Sequence, residues 1–414
     1  MKGISFAKFR HWSVLCLLNL CLVSVLGVLL RYKIAFPLPV INYNFLLQAH
    51  SHFAFSGWVS TAIFTALVYV LSQSGFPVGQ TYIFQFRLAQ TASFGMLLSF
   101  SFEGYGPFSI FFSMSFILFS WWFALRYWKD ASKSDLPIAV KRWAKAALVF
   151  FVLSGFGFFL LGYIRSDRID APALYYNAVY LFLHFQYNGW FSFGVLTFFF
   201  YTIHNYKPNT NENKGRLFFW LMVAACIPAY CLSLLWMNPP AWVFYIATVA
   251  VFLQLGGLVI LFLLIGRSWS HWSVLLPYQV KLFWRLSFIA FMIKLILQAL
   301  SVIPVLGRIA FGFRPVIIAY LHLVMLCFIS FFLIGFFIKE KLFIMSSGLW
   351  KNGSVIFISG VLLNEFFLLT QALTAMNGVI WSFDPLLLFI TATIIFVGVF
   401  LTFIEQVKCK RPLS

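Results

Sequence analysis

The stretch QAHSHFAFSGW, residues Gln48–Trp58, contains the pattern that organises this chain. The stretch LHFQYNGWF, Leu183–Phe191, repeats it, since both read His-Phe-x-aromatic-(Ser/Asn)-Gly-Trp. A third stretch, YLHLVMLCF at Tyr320–Phe328, keeps the histidine and little else. The aligned histidines lie 132 and 138 residues apart and are His52, His184 and His322. A period of roughly 135 residues with one histidine in each copy predicts an internal repeat.

The composition is that of a membrane protein. Of 414 residues, 62% are hydrophobic and 9% are charged, whereas a soluble domain carries charge at about a quarter of its positions. Apolar runs recur at the length of about 20 residues that crosses a bilayer. Helices satisfy their own backbone in lipid, and the period-2 alternation of a barrel does not occur. We therefore predict an all-α membrane protein in a lipid bilayer.

Twelve spans can be drawn, and together they form a single transmembrane domain, residues 1–414. Their approximate bounds are 12–31, 44–72, 82–102, 107–127, 144–164, 173–204, 217–237, 241–266, 282–303, 315–338, 354–374 and 384–404. The repeat divides them into three pseudo-repeated four-helix units at approximately 1–127, 144–266 and 282–404. We interpret the first apolar run as a retained span, because it is longer than a signal-peptide core.

The basic residues predict the orientation of the spans. With the N-terminus inside, the inner segments hold 21 of the 29 lysines and arginines and the outer segments hold six. Lysine and arginine in short loops favour the cytoplasm, so we predict that both termini are cytoplasmic. The same placement explains the net charge of +19 without a nucleic-acid partner. A multi-pass protein of the cell inner membrane is the expected location.

Four histidines share one depth in this topology. They lie in the second, sixth and tenth spans, which hold the same place in each predicted unit. At 1.5 Å per residue, they are roughly 9–17 Å below the outer boundary, and they are His50, His52, His184 and His322. An unpaired polar group in hydrocarbon costs several kcal/mol, so such histidines are candidates for function. The alternative is that each one hydrogen-bonds a neighbouring helix.

Neutral imidazole binds haem iron, copper and zinc, so these histidines predict a cofactor. His50 and His52 are two residues apart, about 200° around a helix, and are expected to point to opposite sides. Gly57 lies five residues after His52 and Gly189 five residues after His184. These glycines either open room for a flat cofactor or allow ordinary close packing of helices.

The three four-helix units and their histidines resemble the haem-copper oxidase subunit I superfamily, together with NnrS-like haem- and copper-containing membrane proteins. The resemblance covers the whole chain as topology and some 30 residues as motif. It implies haem b held by His322 and either His50 or His52, and one copper ion at His184. It also implies electron transfer or handling of a diatomic gas, with a quinol or cytochrome c as electron donor and respiratory-complex subunits as partners.

The chain departs from this family at three places. The family has a His-His pair in the seventh span, where Phe218–Met237 contains no histidine, and the tenth span keeps one histidine of two. The sixth-span histidine of the oxidases is followed at four residues by tyrosine, whereas here Tyr187 comes at three and Asn188 at four. A complete oxygen-reducing centre is therefore not expected, and the question of a divergent oxidoreductase activity stays open.

Other ionisable residues at membrane depth suggest a proton or ion route. Lys294 in the ninth span and Glu365 in the eleventh are the candidates. Glu103 and Asp384, at outer span ends, are expected to be solvated. Two other function classes remain: a cofactor-free transporter or channel with a histidine-lined proton or metal-ion path, and an assembly partner of a respiratory complex.

Overall fold

The computed structural model describes residues 4–166, 169–206, 212–345, 347–378 and 383–409. These described residues form helices joined by short turns, with no strand among them. Nine of the described helices are long and apolar enough to cross a membrane, or ten if Tyr278–Leu300 and Pro304–Gly312, bent by 116°, form one span. The structure thus confirms a helical protein of the multi-pass membrane type. The number twelve stays a prediction, because the helices over 81–103 and 172–206 are not among these nine.

The helices of the first half begin and end as follows: α1 Phe6–Ala35, α2 Tyr43–Phe53, α3 Thr61–Gln73, α4 Thr81–Glu103, α5 Pro107–Lys133, α6 Ile138–Ser166, α7 Pro172–His184 and α8 Ser192–Tyr206. Those of the second half are α9 Glu212–Cys226, α10 Ala241–Ser273, α11 Tyr278–Leu300, α12 Pro304–Gly312, α13 Arg314–His322, α14 Phe331–Lys339, α15 Gly348–Met376 and α16 Asp384–Lys408. A 3-10 helix covers Pro228–Met237.

Three π-helical segments occur in the described chain, and each interrupts one histidine-bearing span. Segment π1 is Ala54–Ser60, π2 is Phe185–Phe191 and π3 is Leu323–Ser330. Segments π2 and π3 begin directly after the span's histidine, and π1 begins two residues after His52. A π segment inserts an extra residue into a helical turn and is frequent at functional sites. The motif therefore marks a shared backbone irregularity, which the sequence did not predict.

At the end of each π segment, a side-chain hydroxyl group donates a hydrogen bond to a backbone carbonyl oxygen of that segment. Thr61, Ser192 and Ser330 each donate a hydrogen bond to the carbonyl oxygen five residues earlier, at 2.9, 2.6 and 2.7 Å. In all three spans a serine lies eight residues after the histidine, at Ser60, Ser192 and Ser330. His-x7-Ser is thus a repeat signal that the third copy retains.

Contacts divide the chain into two compact units. Unit 1 consists of Met1–Tyr127 and Phe336–Ser414, and unit 2 of Trp128–Gly335. In unit 1, α15 and α16 pack so closely that a Cβ on Gly398 would overlap the backbone of Phe357, and one on Gly360 would lie 2.8 Å from the Ile395 nitrogen. The three pseudo-repeated four-helix units stay a prediction, which superposing residues 40–170 on 172–304 would test.

A buried amide in unit 1 ties π1 to two neighbouring helices. Asn19 of α1 is fully buried, and its Nδ2 lies 2.5 Å from the Gly57 carbonyl oxygen and 3.0 Å from Gln90 Oε1 on α4. We expect Asn19→Leu to destabilise the chain by about 1–3 kcal/mol, because it leaves both acceptors buried without this donor. Thermal unfolding of the detergent-solubilised protein measures the loss. Asn44→Leu, at an exposed position of α2, is the control, and equal shifts in the two variants would contradict the assignment.

Candidate histidine sites

His50 and His52 leave α2 on opposite sides, as the sequence predicted. His50 Nδ1 lies 3.1 Å from the Val23 carbonyl oxygen of α1. His52 stacks on Phe100 of α4, with ring centroids 4.3 Å apart, and its Nε2 lies 3.1 Å from the Tyr105 hydroxyl. A carbonyl oxygen only accepts, so His50 donates through Nδ1–H, and a neutral imidazole then carries its lone pair on Nε2.

His322 in unit 2 has the same tautomer as His50. Its Nδ1 lies 2.8 Å from the carbonyl oxygen of Ile318, one turn earlier on α13. The ring therefore donates Nδ1–H to the backbone and carries its lone pair on Nε2. Metal-binding histidines are usually oriented in this way, by a hydrogen bond from the other ring nitrogen to a carbonyl or carboxylate.

His184 is bonded differently, because both of its ring nitrogens have partners within unit 2. The side chain is 1% exposed, with Nε2 2.8 Å from the Cys226 carbonyl oxygen and Nδ1 3.1 Å from Asn188 Nδ2. Asn188 Oδ1 in turn accepts a hydrogen bond from Gln298 Nε2 at 3.2 Å. We call this row, from the Cys226 carbonyl through His184 and Asn188 to Gln298, the His184 chain.

The direction of every hydrogen bond in the His184 chain follows from the Cys226 carbonyl. That oxygen only accepts, so His184 donates from Nε2 and must accept at Nδ1 in its neutral form. Asn188 therefore presents its NH₂ group to His184 and its oxygen to Gln298. The Cys226 carbonyl is available because α9 ends there and Pro228 begins a 3-10 helix, so the regular i→i+4 backbone bond is lost.

The bonding of His184 does not favour copper, since Nε2 carries the proton and the lone pair of Nδ1 accepts a hydrogen bond from Asn188. Among the described residues, no three histidine, cysteine, aspartate or glutamate side chains are grouped so as to hold a metal ion. The copper ion at His184 therefore stays a prediction of the sequence resemblance.

The room beside the two motif glycines is filled by phenylalanine. A Cβ on Gly57 would lie 2.6 Å from the Phe53 ring, and one on Gly189 would overlap Phe150. The adjacent Trp58 and Trp190 are buried. Of the two interpretations of Gly57, close packing is therefore the one that these contacts favour.

The two candidates for a proton route lie in different environments. Lys294 of α11, in unit 2, is 2% exposed, and its Nζ lies 5.7 Å from the centre of the Phe291 ring. Glu365 of α15, in unit 1, is half-buried, accepts a hydrogen bond from Asn364 at 3.4 Å and interacts electrostatically with Arg31. Each is described within its own unit, and a route joining them stays a prediction.

The sequence predicted that Glu103 and Asp384, at outer span ends, would be solvated, and this prediction is wrong for Asp384. Asp384, at the start of α16, is 5% exposed rather than solvated. Glu103 is half-buried, and its Oε1 accepts a hydrogen bond from the Ser109 backbone N–H at 2.7 Å. That bond satisfies an N–H in the first turn of α5, where a helix has no internal acceptor.

Two members of the His184 chain were missed as site residues. Asn188 was noted only as a departure from a family tyrosine, although its spacing of four residues places it on the same helix face as His184. Gln298 carries no sequence signal that connects it with a histidine 114 residues earlier. No protein-family model matches this chain, and no curated protein sequence matches it either.

Proposed function

We propose that this chain is a haem-binding protein of the cell inner membrane, of the haem-copper oxidase-like class. The observation that supports it is the shared tautomer of His50 and His322, each of which donates Nδ1–H to a backbone carbonyl and carries its lone pair on Nε2. The axial-ligand candidates that the sequence resemblance implies are His322 and either His50 or His52.

A bound haem b supplies reversible one-electron chemistry at its iron. The backbone carbonyls that accept Nδ1–H from His50 and His322 would hold each imidazole as a neutral ligand. We propose electron transfer or handling of a diatomic gas as the role, with a quinol or cytochrome c as donor. The departures in the seventh and tenth spans argue against complete oxygen reduction.

The proposal includes twelve spans with both termini in the cytoplasm. A reporter fused after Lys339, which ends α14, is expected to report cytoplasm, whereas one fused after Lys33 should report the opposite side. Lys207, the other inner fusion point suggested by the sequence, lies outside the described residues. Two reporters on the same side would overturn the topology.

Haem content tests the proposed function against its rivals. The full chain, expressed in haem-sufficient cells and purified in mild detergent, is expected to contain one b-type haem per chain by the pyridine haemochrome assay. An unrelated multi-pass protein prepared in the same way is the control for adventitious haem. A content no higher than that of the control would favour the cofactor-free transporter or channel, or the assembly partner.

A further inference from the structure

Lys294 is a buried lysine, 2% exposed, at membrane depth. Among the described residues, no hydrogen bond or ion pair is seen at its side-chain nitrogen. Its neighbours are the Phe291 ring and two groups close enough for electrostatic interaction, Cys226 and His184. Removing one partner of a buried charge is among the most destabilising changes in a protein, so a lone buried cation requires an explanation.

The sequence shows that unit 2 cannot supply the missing charge within the membrane. Its acidic residues all lie outside the predicted spans and are Asp130, Asp135, Asp167, Asp170 and Glu212. No aspartate or glutamate occurs between residues 213 and 339. His184 does not supply a compensating charge, because its two hydrogen bonds require the neutral ring. Unit 2 therefore offers no carboxylate within its predicted spans to pair with Lys294.

Gln298 provides a second unpartnered group one turn further along α11. The side chain is 8% exposed, and its Oε1 has no hydrogen-bond partner among the described residues. The His184 chain uses the Gln298 NH₂ group as its terminal donor, and the oxygen of the same amide takes no part in that chain. Positions i and i+4 share one helix face, so Lys294 and Gln298 lie on the same face of α11.

We propose that Lys294 and Gln298 bind a small monovalent oxyanion that carries one hydroxyl group, of which bicarbonate is the simplest example. The Lys294 ammonium group donates to the charged oxygens, and Gln298 Oε1 accepts from the hydroxyl group. His184 is a positioning residue, which holds the orientation of Gln298 through Asn188. This site goes beyond the proposed haem function and does not depend on it.

Thermal unfolding of the purified full chain in detergent tests the site. Sodium bicarbonate, at constant pH and ionic strength, is expected to raise the Tm in a saturable manner, because a ligand that binds only the folded state stabilises it. Sodium chloride at the same ionic strength should have no such effect. Lys294→Met should abolish the response, and its own Tm without anion should rise, because an uncompensated buried charge has been removed. Lys281→Met, a half-buried lysine near the other end of α11, should respond as the natural chain does.

Variants of Gln298 distinguish a site that recognises the hydroxyl group of the anion from simple attraction of any anion to Lys294. Nitrate has no hydroxyl group, so it should raise the Tm less than bicarbonate does. Gln298→Leu should reduce the bicarbonate response to the nitrate level while leaving the nitrate response in place. A full bicarbonate response in Lys294→Met, or equal responses to bicarbonate and chloride in the natural chain, would overturn the proposal.

Discussion

A chain carrying His322→Ala is expected to be purified without haem. If His322 is an axial ligand, alanine removes the iron–nitrogen bond and leaves no other imidazole in the tenth span. One of His50→Ala and His52→Ala should have a comparable effect, which identifies the second ligand. The other should retain haem. The pyridine haemochrome assay measures all three.

His204→Ala is the matched control, since His204 is exposed near the end of α8. Gel filtration of each variant separates loss of haem from loss of the fold. Haem retained at full stoichiometry in correctly folded His322→Ala would refute the ligand assignment, and so would equal losses in His322→Ala and His204→Ala.

Replacing Gly398 with alanine should destabilise unit 1 through the addition of a single methyl group. The new Cβ would overlap the backbone nitrogen and Cα of Phe357, and backbone cannot move aside as a flexible side chain does. Overpacking of this kind costs about 1–3 kcal/mol, and separation of α15 from α16 would add to the loss.

Gly162 of α6 provides the matched control for this change. No atom lies within 4 Å of a Cβ built there, so alanine should be neutral or stabilise the helix by up to about 1 kcal/mol through its better helix propensity. Thermal unfolding of the two variants under one set of conditions gives the comparison. A Tm for Gly398→Ala at or above that of Gly162→Ala would contradict the packing of α15 against α16.

The sequence predicted the helical membrane class well, because apolar length and sparse charge are local properties. It also predicted the opposite directions of His50 and His52, which follow from helical geometry alone. The predicted span 44–72 corresponds to a helical run over Tyr43–Gln73. Its π segment was not predicted, because a change from i→i+4 to i→i+5 bonding leaves the hydrophobic pattern nearly unchanged.

The contacts of the site were harder to predict, because they connect residues far apart in sequence. The Cys226 carbonyl accepts from His184 only because the helix breaks before Pro228, and Gln298 reaches Asn188 from a different span. Gly57 was ambiguous for a different reason, since the side-chain conformation of Phe53, four residues earlier, decides what fills the space beside it. Asp384 was expected to be solvated from its place near a span end, and that place did not reveal the packing that buries it.

The reduced-minus-oxidised absorption spectrum of the purified full chain tests the central claim most directly. Haem held by two histidines predicts a Soret band and sharp alpha bands that appear on reduction with dithionite. These bands should be lost in His322→Ala and kept in His204→Ala. A featureless spectrum from correctly folded protein, purified from cells that supply haem, would contradict the account.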